Sequence, residues 1–218
     1  MSTFNDFYNI YKSSAEKSKA YDEFYNRKKD TPVSSKPIAR KIKTFGPIKD
    51  CRCVVLIPVY KSKPDDFETS NLKNTFSKLS RFDVCLLCPD SLDVSSYLKL
   101  AGYDLQVFRK SDVFFRGKES YSRMMESSRI YRALESWDYT LIVQPDVYII
   151  GNASELVKFI ESGHIYLGGP WNKEYCKSIG IDGEYCGNGG LSLRHNKRIA
   201  ELLETSQNKN ERLKTVED

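Results

Sequence analysis

The chain has 218 residues, 40% apolar and 29% charged, an ordinary composition for one large domain with a real core. A net charge of +5 is mild; it favours anionic ligands and gives no reason to expect a nucleic-acid partner. No apolar run approaches the ~20 residues that span a bilayer, and Met1 to Ile10 lacks the apolar stretch of a signal peptide. A cytoplasmic chain is expected, or one held peripherally on the cytoplasmic face of a membrane. Its six cysteines then read as reduced thiols.

Residues 1–30 read as a helical extension. Phe4, Phe7, Tyr8 and Tyr11 follow an i, i+3, i+4, i+7 pattern, and Tyr21, Phe24 and Tyr25 repeat it. Lys17, Lys19, Arg27, Lys28 and Lys29 add a basic side. Such a helix docks on a membrane surface or a partner, or packs on its own domain or a second subunit; helix patterning favours packing. Residues 31–50, with Pro32, Pro37, Gly46 and Pro47, read as a linker, and the main domain is expected over 51–218.

The continuous apolar run Cys53-Val54-Val55-Leu56-Ile57 predicts a parallel strand buried on both faces, ending at Pro58-Val59-Tyr60-Lys61. A helix follows over 65–80, with Phe67, Leu72, Phe76 and Leu79 on one face. A second strand spans 82–88, a short helix 94–101, a third strand 105–108 and one long helix 120–136. Cys51, Cys53, Cys85 and Cys88 raise the idea of a zinc site. Along parallel strands, however, Cys88 stands ~10 Å beyond Cys85. Four sulfurs would not converge, so buried small hydrophobes are expected.

The stretch Leu141-Ile142-Val143-Gln144-Pro145-Asp146-Val147-Tyr148-Ile149-Ile150 organises the rest. Two apolar runs, read as strand before and strand after, flank a carboxylate that reads as buried, and Pro145 breaks the run at its centre. A carboxylate at such a break sits at a sheet edge, where open α/β sheets bind ligands. Beyond it come a helix over 153–162, a strand entering a turn at Gly168-Gly169-Pro170-Trp171, and an irregular segment over 171–186. The glycine-rich entry Gly187-Asn188-Gly189-Gly190 leads into a strand, Leu191 to Arg194. A final helix is expected over 196–205. The β-α alternation predicts a mostly parallel sheet flanked by helices.

No G-x-G-x-x-G, no P-loop and no local triad signature is present, and only two histidines occur. What remains is Asp146 at a strand end, an aromatic first loop and the glycines, which let backbone approach a ligand closely. In order and spacing these pieces resemble the nucleotide-sugar glycosyltransferases of GT-A fold. More narrowly they resemble an uncharacterised bacterial and viral branch labelled only as a domain of unknown function. The resemblance covers roughly residues 52 to 195. It rests on Ile57 to Lys61 with Glu68; Tyr121 with Met124, Met125 and Tyr131; Trp137 to Asp146; Tyr166, Gly168, Pro170 and Trp171; and Gly187 to Arg194.

The resemblance implies a GT-A-like (Rossmann-like) domain that transfers a sugar from a nucleotide-sugar donor to a glycan or lipid-linked acceptor, as in polysaccharide biosynthesis. It implies Mn²⁺ or Mg²⁺ at Asp146, with His195 as a second ligand. Gln144 stands where the wider fold carries the first carboxylate of an Asp-x-Asp motif. Donor binding falls to Pro58, Tyr60, Lys61, Glu68, Arg116, Lys118, Tyr121, Gln144 and Asp146. Trp171, Asn188, Gly189 and Gly190 fall to the sugar or acceptor. Asp146, Asn188 and Asp218 are the catalytic candidates. Glu217-Asp218 resembles the base pair of inverting members, and since the chain stops there, the reading expects a truncated end or a missing base. Two rivals stand beside it: a degenerate protein that binds nucleotide sugars without transfer, and a scaffold docked through residues 1–30.

Overall fold

The structure, a computed structural model, describes residues 52–171, 173–178, 180 and 186–214. The chain divides into Met1–Lys36 and Pro37–Asp218, and only the second is described below. The expected helical extension over 1–30 and the linker over 31–50 lie outside the described residues.

Among these, six strands form one sheet in the order β3-β2-β1-β4-β6-β5. They are β1 (Cys53–Pro58), β2 (Asp83–Pro89), β3 (Gln106–Lys110), β4 (Tyr139–Val143), β5 (Tyr166–Pro170) and β6 (Cys186–His195). The first four pair in parallel, as their continuous apolar runs predict. β6 alone runs against the rest, paired antiparallel with both β4 and β5. The helices are α1 (Asp66–Lys78), α2 (Ser95–Ala101), α3 (Lys118–Met125), α4 (Ser128–Ala133), α5 (Ala153–Glu161), α6 (Lys173–Ser178) and α7 (Asn196–Lys214).

Alternation along β1 builds two cores. Cys53, Val55 and Ile57 face one layer with Leu72 and Phe76 of α1, Tyr97 of α2 and Leu156 of α5. Val54 and Leu56 face the other, with Met124, Met125, Ile130, Tyr131, Trp137 and Ala200. Each such buried aliphatic side chain contributes about 1.5–3 kcal/mol. The cysteines divide between the layers: Cys53 and Cys88 pack in the first, Cys85 in the second. Side chains on opposite faces of a sheet cannot share an ion, so these thiols serve as packing groups.

The base of the sheet is closed by polar locks. Asn196, fully buried, donates through Nδ2 to the carbonyls of Leu134 (3.0 Å) and Trp137 (2.9 Å) and accepts from Thr140 Oγ1 (2.7 Å). Trp137 Nε1 donates to Asp83 at 2.8 Å.

Five expectations are corrected. The long helix over 120–136 is two helices, α3 and α4, because Ser127 accepts from the Arg129 N–H and starts a new cap. The run after Pro145 is not a second strand; β4 ends at Val143 and the chain turns. The segment over 171–186, read as irregular, contains α6. The glycines do not precede β6 but lie inside it, and the helix that follows reaches Lys214.

Candidate functional site

The parallel strands all end at one edge, and the loops there carry most of the sequence candidates. At the end of β1, Val59 N–H donates to the Leu87 carbonyl at 2.8 Å, extending the pairing past Pro58. Tyr60 then turns outward, 62% exposed. The Tyr97 hydroxyl donates to the Lys61 carbonyl at 2.9 Å, so α2 pins the loop; burial pushes that phenol up to about 12.

Lys61 is not a free cation. Its Nζ lies 2.9 Å from Glu68 and 3.4 Å from Asp65. Glu68 also accepts from the Asp65 N–H, while Asp65 accepts from the Glu68 N–H, forming a capping box at the start of α1. The Glu68 carboxylate, hydrogen-bonded to the ammonium, holds Lys61 above the ordinary lysine value. Two sequence candidates for the donor thus neutralise each other.

The turn after β4 is built from its neighbours. Gln144 N–H donates to the Gly190 carbonyl at 2.8 Å, and Val147 N–H closes the turn on the Gln144 carbonyl at 3.0 Å. Pro145 is buried. From α1, Asn71 Nδ2 donates to the Pro145 carbonyl (3.3 Å), Asn74 accepts from the Ile149 N–H (3.1 Å), and Lys78 donates to the Ile150 carbonyl. These three polar side chains, at i, i+3 and i+7, form one row along the helix. Sequence reading missed them because only the apolar positions of α1 were used; a polar row at helical spacing beside Leu72 and Phe76 was the signal.

Asp146 tops this turn and is exposed, which corrects its reading as a buried carboxylate. Among the described residues it has no hydrogen-bond or ion-pair partner. Gln144 is half-buried beneath it. Across from the turn, the Gly187–Gly190 end of β6 lies at the same edge, since Leu191 pairs with Val143 and Asn188 with Gly169. Trp171 follows directly on β5.

His195 is elsewhere. It pairs with Tyr139 at the start of β4, its ring 4.8 Å from the Tyr139 ring. Four residues of β4 separate that level from Val143, roughly 13 Å, and Asp146 lies beyond. Metal–oxygen and metal–nitrogen bonds of about 2 Å cannot bridge such a gap, so His195 cannot join Asp146 on one ion. Among the described residues no three of His, Cys, Asp or Glu gather closely enough to cage a metal.

Arg116 and Lys118 are exposed on the segment after β3, three strands from β4 and so roughly 14 Å to the side. They share the sheet edge but not the Asp146 turn. Tyr121, on α3, faces the second core; burial pushes its phenol up to about 12. It belongs with Tyr131, Tyr166 and Arg194. Arg194 donates to Ser192 Oγ (3.1 Å) and to the Tyr131 hydroxyl, and its guanidinium lies 5.6 Å from the Tyr166 ring centre. Burial disfavours the guanidinium's charge, but the Tyr131, Tyr166 and Tyr121 phenols outweigh this and hold its pKa up. Asp218 lies outside the described residues.

Among those residues, no helix is long and apolar enough to cross a membrane. A family model described as Protein of unknown function (DUF5672) matches residues 104–218. No curated protein matches the sequence. Among solved structures the chain is similar to glucosyl-3-phosphoglycerate synthase of M. tuberculosis, at 11% identity and TM-score 0.42, over 68% of this chain and 58% of that one. It is similar to the mannosyltransferase PcManGT from Pyrobaculum calidifontis, solved with GDP-Man and Mn²⁺, at 12% identity and TM-score 0.42, over 69% and 46%. It is also similar to core-mannan synthase A from Aspergillus fumigatus, in its Mn/GDP form, at 10% identity and TM-score 0.46, over 74% and 67%. The chain spans about half the length of the first two.

Proposed function

Within the family described as Protein of unknown function (DUF5672), to which this chain belongs, we propose a glycosyltransferase of GT-A-like architecture that moves a sugar from a nucleotide-sugar donor to a glycan or lipid-linked acceptor. The observation that carries this reading is Asp146: an exposed carboxylate, without a partner among the described residues, on a turn that is itself held at three points by α1. A group so firmly positioned and left uncommitted suits a ligand.

A single carboxylate fits Mg²⁺ or Mn²⁺, which keep several waters and share substrate phosphates rather than needing a protein cage. With a cation bound there, the diphosphate leaving group is neutralised as it departs. The chain's own parts then bind and orient. Gln144 and the Gly190 backbone fix the height of Asp146 through their 2.8 Å bond. Tyr60 offers an exposed ring for a nucleobase, and Asn188, Gly189, Gly190 and Trp171 are the residues assigned to the sugar. Arg116 and Lys118 serve the donor only from its far side.

One observation favours a second reading, binding without transfer. Lys61 is spent on Glu68, and Gln144 stands in the place of a carboxylate, so the site carries less charge for a departing diphosphate. Donor hydrolysis measured beside donor binding separates the two.

The test is a thermal-shift panel of nucleotide sugars with and without Mn²⁺, GDP-mannose first. A bound donor raises apparent stability by mass action. A Mn²⁺-dependent rise with at least one donor is expected. No rise with any nucleotide sugar, with or without the ion, would overturn both readings.

A further inference from the structure

Arg194 sits on the same face of β6 as Ser192, among phenols, and among the described residues its bonds go to neutral groups: the hydroxyls of Ser192 and Tyr131, with the Tyr166 ring alongside. No carboxylate among the described residues forms an ion pair with it. Burial pushes the Glu126 carboxyl up against the downward pull of the Arg123 and Arg194 charges, but among the described residues it forms no ion pair with Arg194. A half-buried cation without an ion-pair partner among the described residues is costly, and a well-placed oxyanion would lower that cost.

One guanidinium nitrogen faces a position that carries no side chain. A side-chain carbon at Gly189 would stand 3.2 Å from the Arg194 Nη2 atom. Glycine at this position keeps the approach to that nitrogen clear, and it does so at the sheet edge where Asp146 lies. Nη2, unlike Nε and Nη1, has no hydrogen-bond acceptor among the described residues. Gly168, across on β5, lets the Tyr166 ring pack close over the strand; a carbon there would meet its hydroxyl at 2.7 Å.

We propose that Arg194, framed by Tyr121, Tyr131 and Tyr166 and left open by Gly189, is an oxyanion-binding centre that takes a phosphate or carboxylate carried by the substrate. A guanidinium suits both, because its planar fork matches two oxygens at once. The proposal rests on the transferase reading only for where the anion comes from: the donor diphosphate or an acidic group on the acceptor.

The test uses the full chain at fixed ionic strength, with inorganic pyrophosphate and glucuronate as probes and neither metal nor donor present. At least one probe is expected to raise the wild-type Tm in a saturable way. Arg194→Gln should weaken its Kd at least about tenfold, the loss of a charge-assisted bond. Gly189→Ala keeps the guanidinium but places a methyl against Nη2, and should weaken binding while its unliganded Tm stays near wild type. This variant decides the matter if Arg194→Gln fails to fold. Arg198→Gln removes an equal charge from an exposed site on α7 and should keep the full shift.

Competition assigns the source. Displacement of the probe by a nucleoside diphosphate, but not by the nucleoside, places the donor's phosphates there. Displacement by a sugar phosphate or uronate alone places the acceptor there. Either result supports the centre. No shift with either probe, or a shift equal in wild type, Arg194→Gln and Gly189→Ala, overturns it. Failure of donor binding at Asp146 would leave these probe titrations untouched, so the two readings fail separately.

Discussion

Asn71 on α1 reaches across to the carbonyl of Pro145, 3.3 Å away and 74 residues later in the chain. The first helix therefore holds the turn that carries Asp146, and the height of that carboxylate depends on a side chain outside every motif around it. Replacing Asn71 with Leu keeps the volume and removes the donor. The buried Pro145 carbonyl then loses its partner, at a cost of about 1–3 kcal/mol. A lower urea midpoint is expected, together with weaker Mn²⁺-dependent donor binding. A variant that loses stability but binds donor unchanged would show that the turn needs no help from α1.

Asp146→Asn separates support from ligation. The carboxylate is exposed and without a partner among the described residues, so the unliganded variant should match wild type within about 0.5 kcal/mol. The Mn²⁺-dependent part of nucleotide-sugar affinity should disappear in calorimetric titration. Unchanged metal-dependent affinity would remove Asp146 as the ligand.

Asn196 tests the base of the sheet rather than its functional edge. Asn196→Ala strands two carbonyls and the Thr140 hydroxyl in a site with no solvent access, and about 3 kcal/mol of stability should be lost. Chemical denaturation measures it. A loss below about 1 kcal/mol would mean that these groups find other partners.

The capping box at α1 predicts a pH dependence. The Glu68 N–H, and then Lys61, hold the Asp65 carboxyl below the usual carboxylate range. A lowered folded pKa stabilises the protein above the unfolded value of about 3.9, and the gain is lost as pH falls through the folded value. Asp65→Asn retains a capping side chain but no charge. Wild type should exceed this variant in urea midpoint at neutral pH, and the gap should close as pH drops below about 4. A gap that persists fully at pH 2 would mean that the charge contributes nothing.

Much of the fold was legible locally. Residues 53–57 are apolar without alternation, the mark of a strand covered on both faces, and that alone predicts parallel neighbours with helices on each side. The break at Pro145 likewise placed a carboxylate at a sheet edge. What one strand's sequence cannot carry is its partner and direction. Leu191 and Leu193 alternate as a strand must, yet only pairing with β4 decides that β6 runs antiparallel. That direction brings the glycines beside Gln144 and sends His195 to the opposite end. Hydrogen bonds between strands join residues dozens of positions apart, and a local pattern holds no record of them. The same holds for Lys61, whose charge reads as free in sequence. It is neutralised by Glu68 because a capped helix folds back over the loop. Composition and periodicity determined the layers; packing determined which charges at the edge remain available.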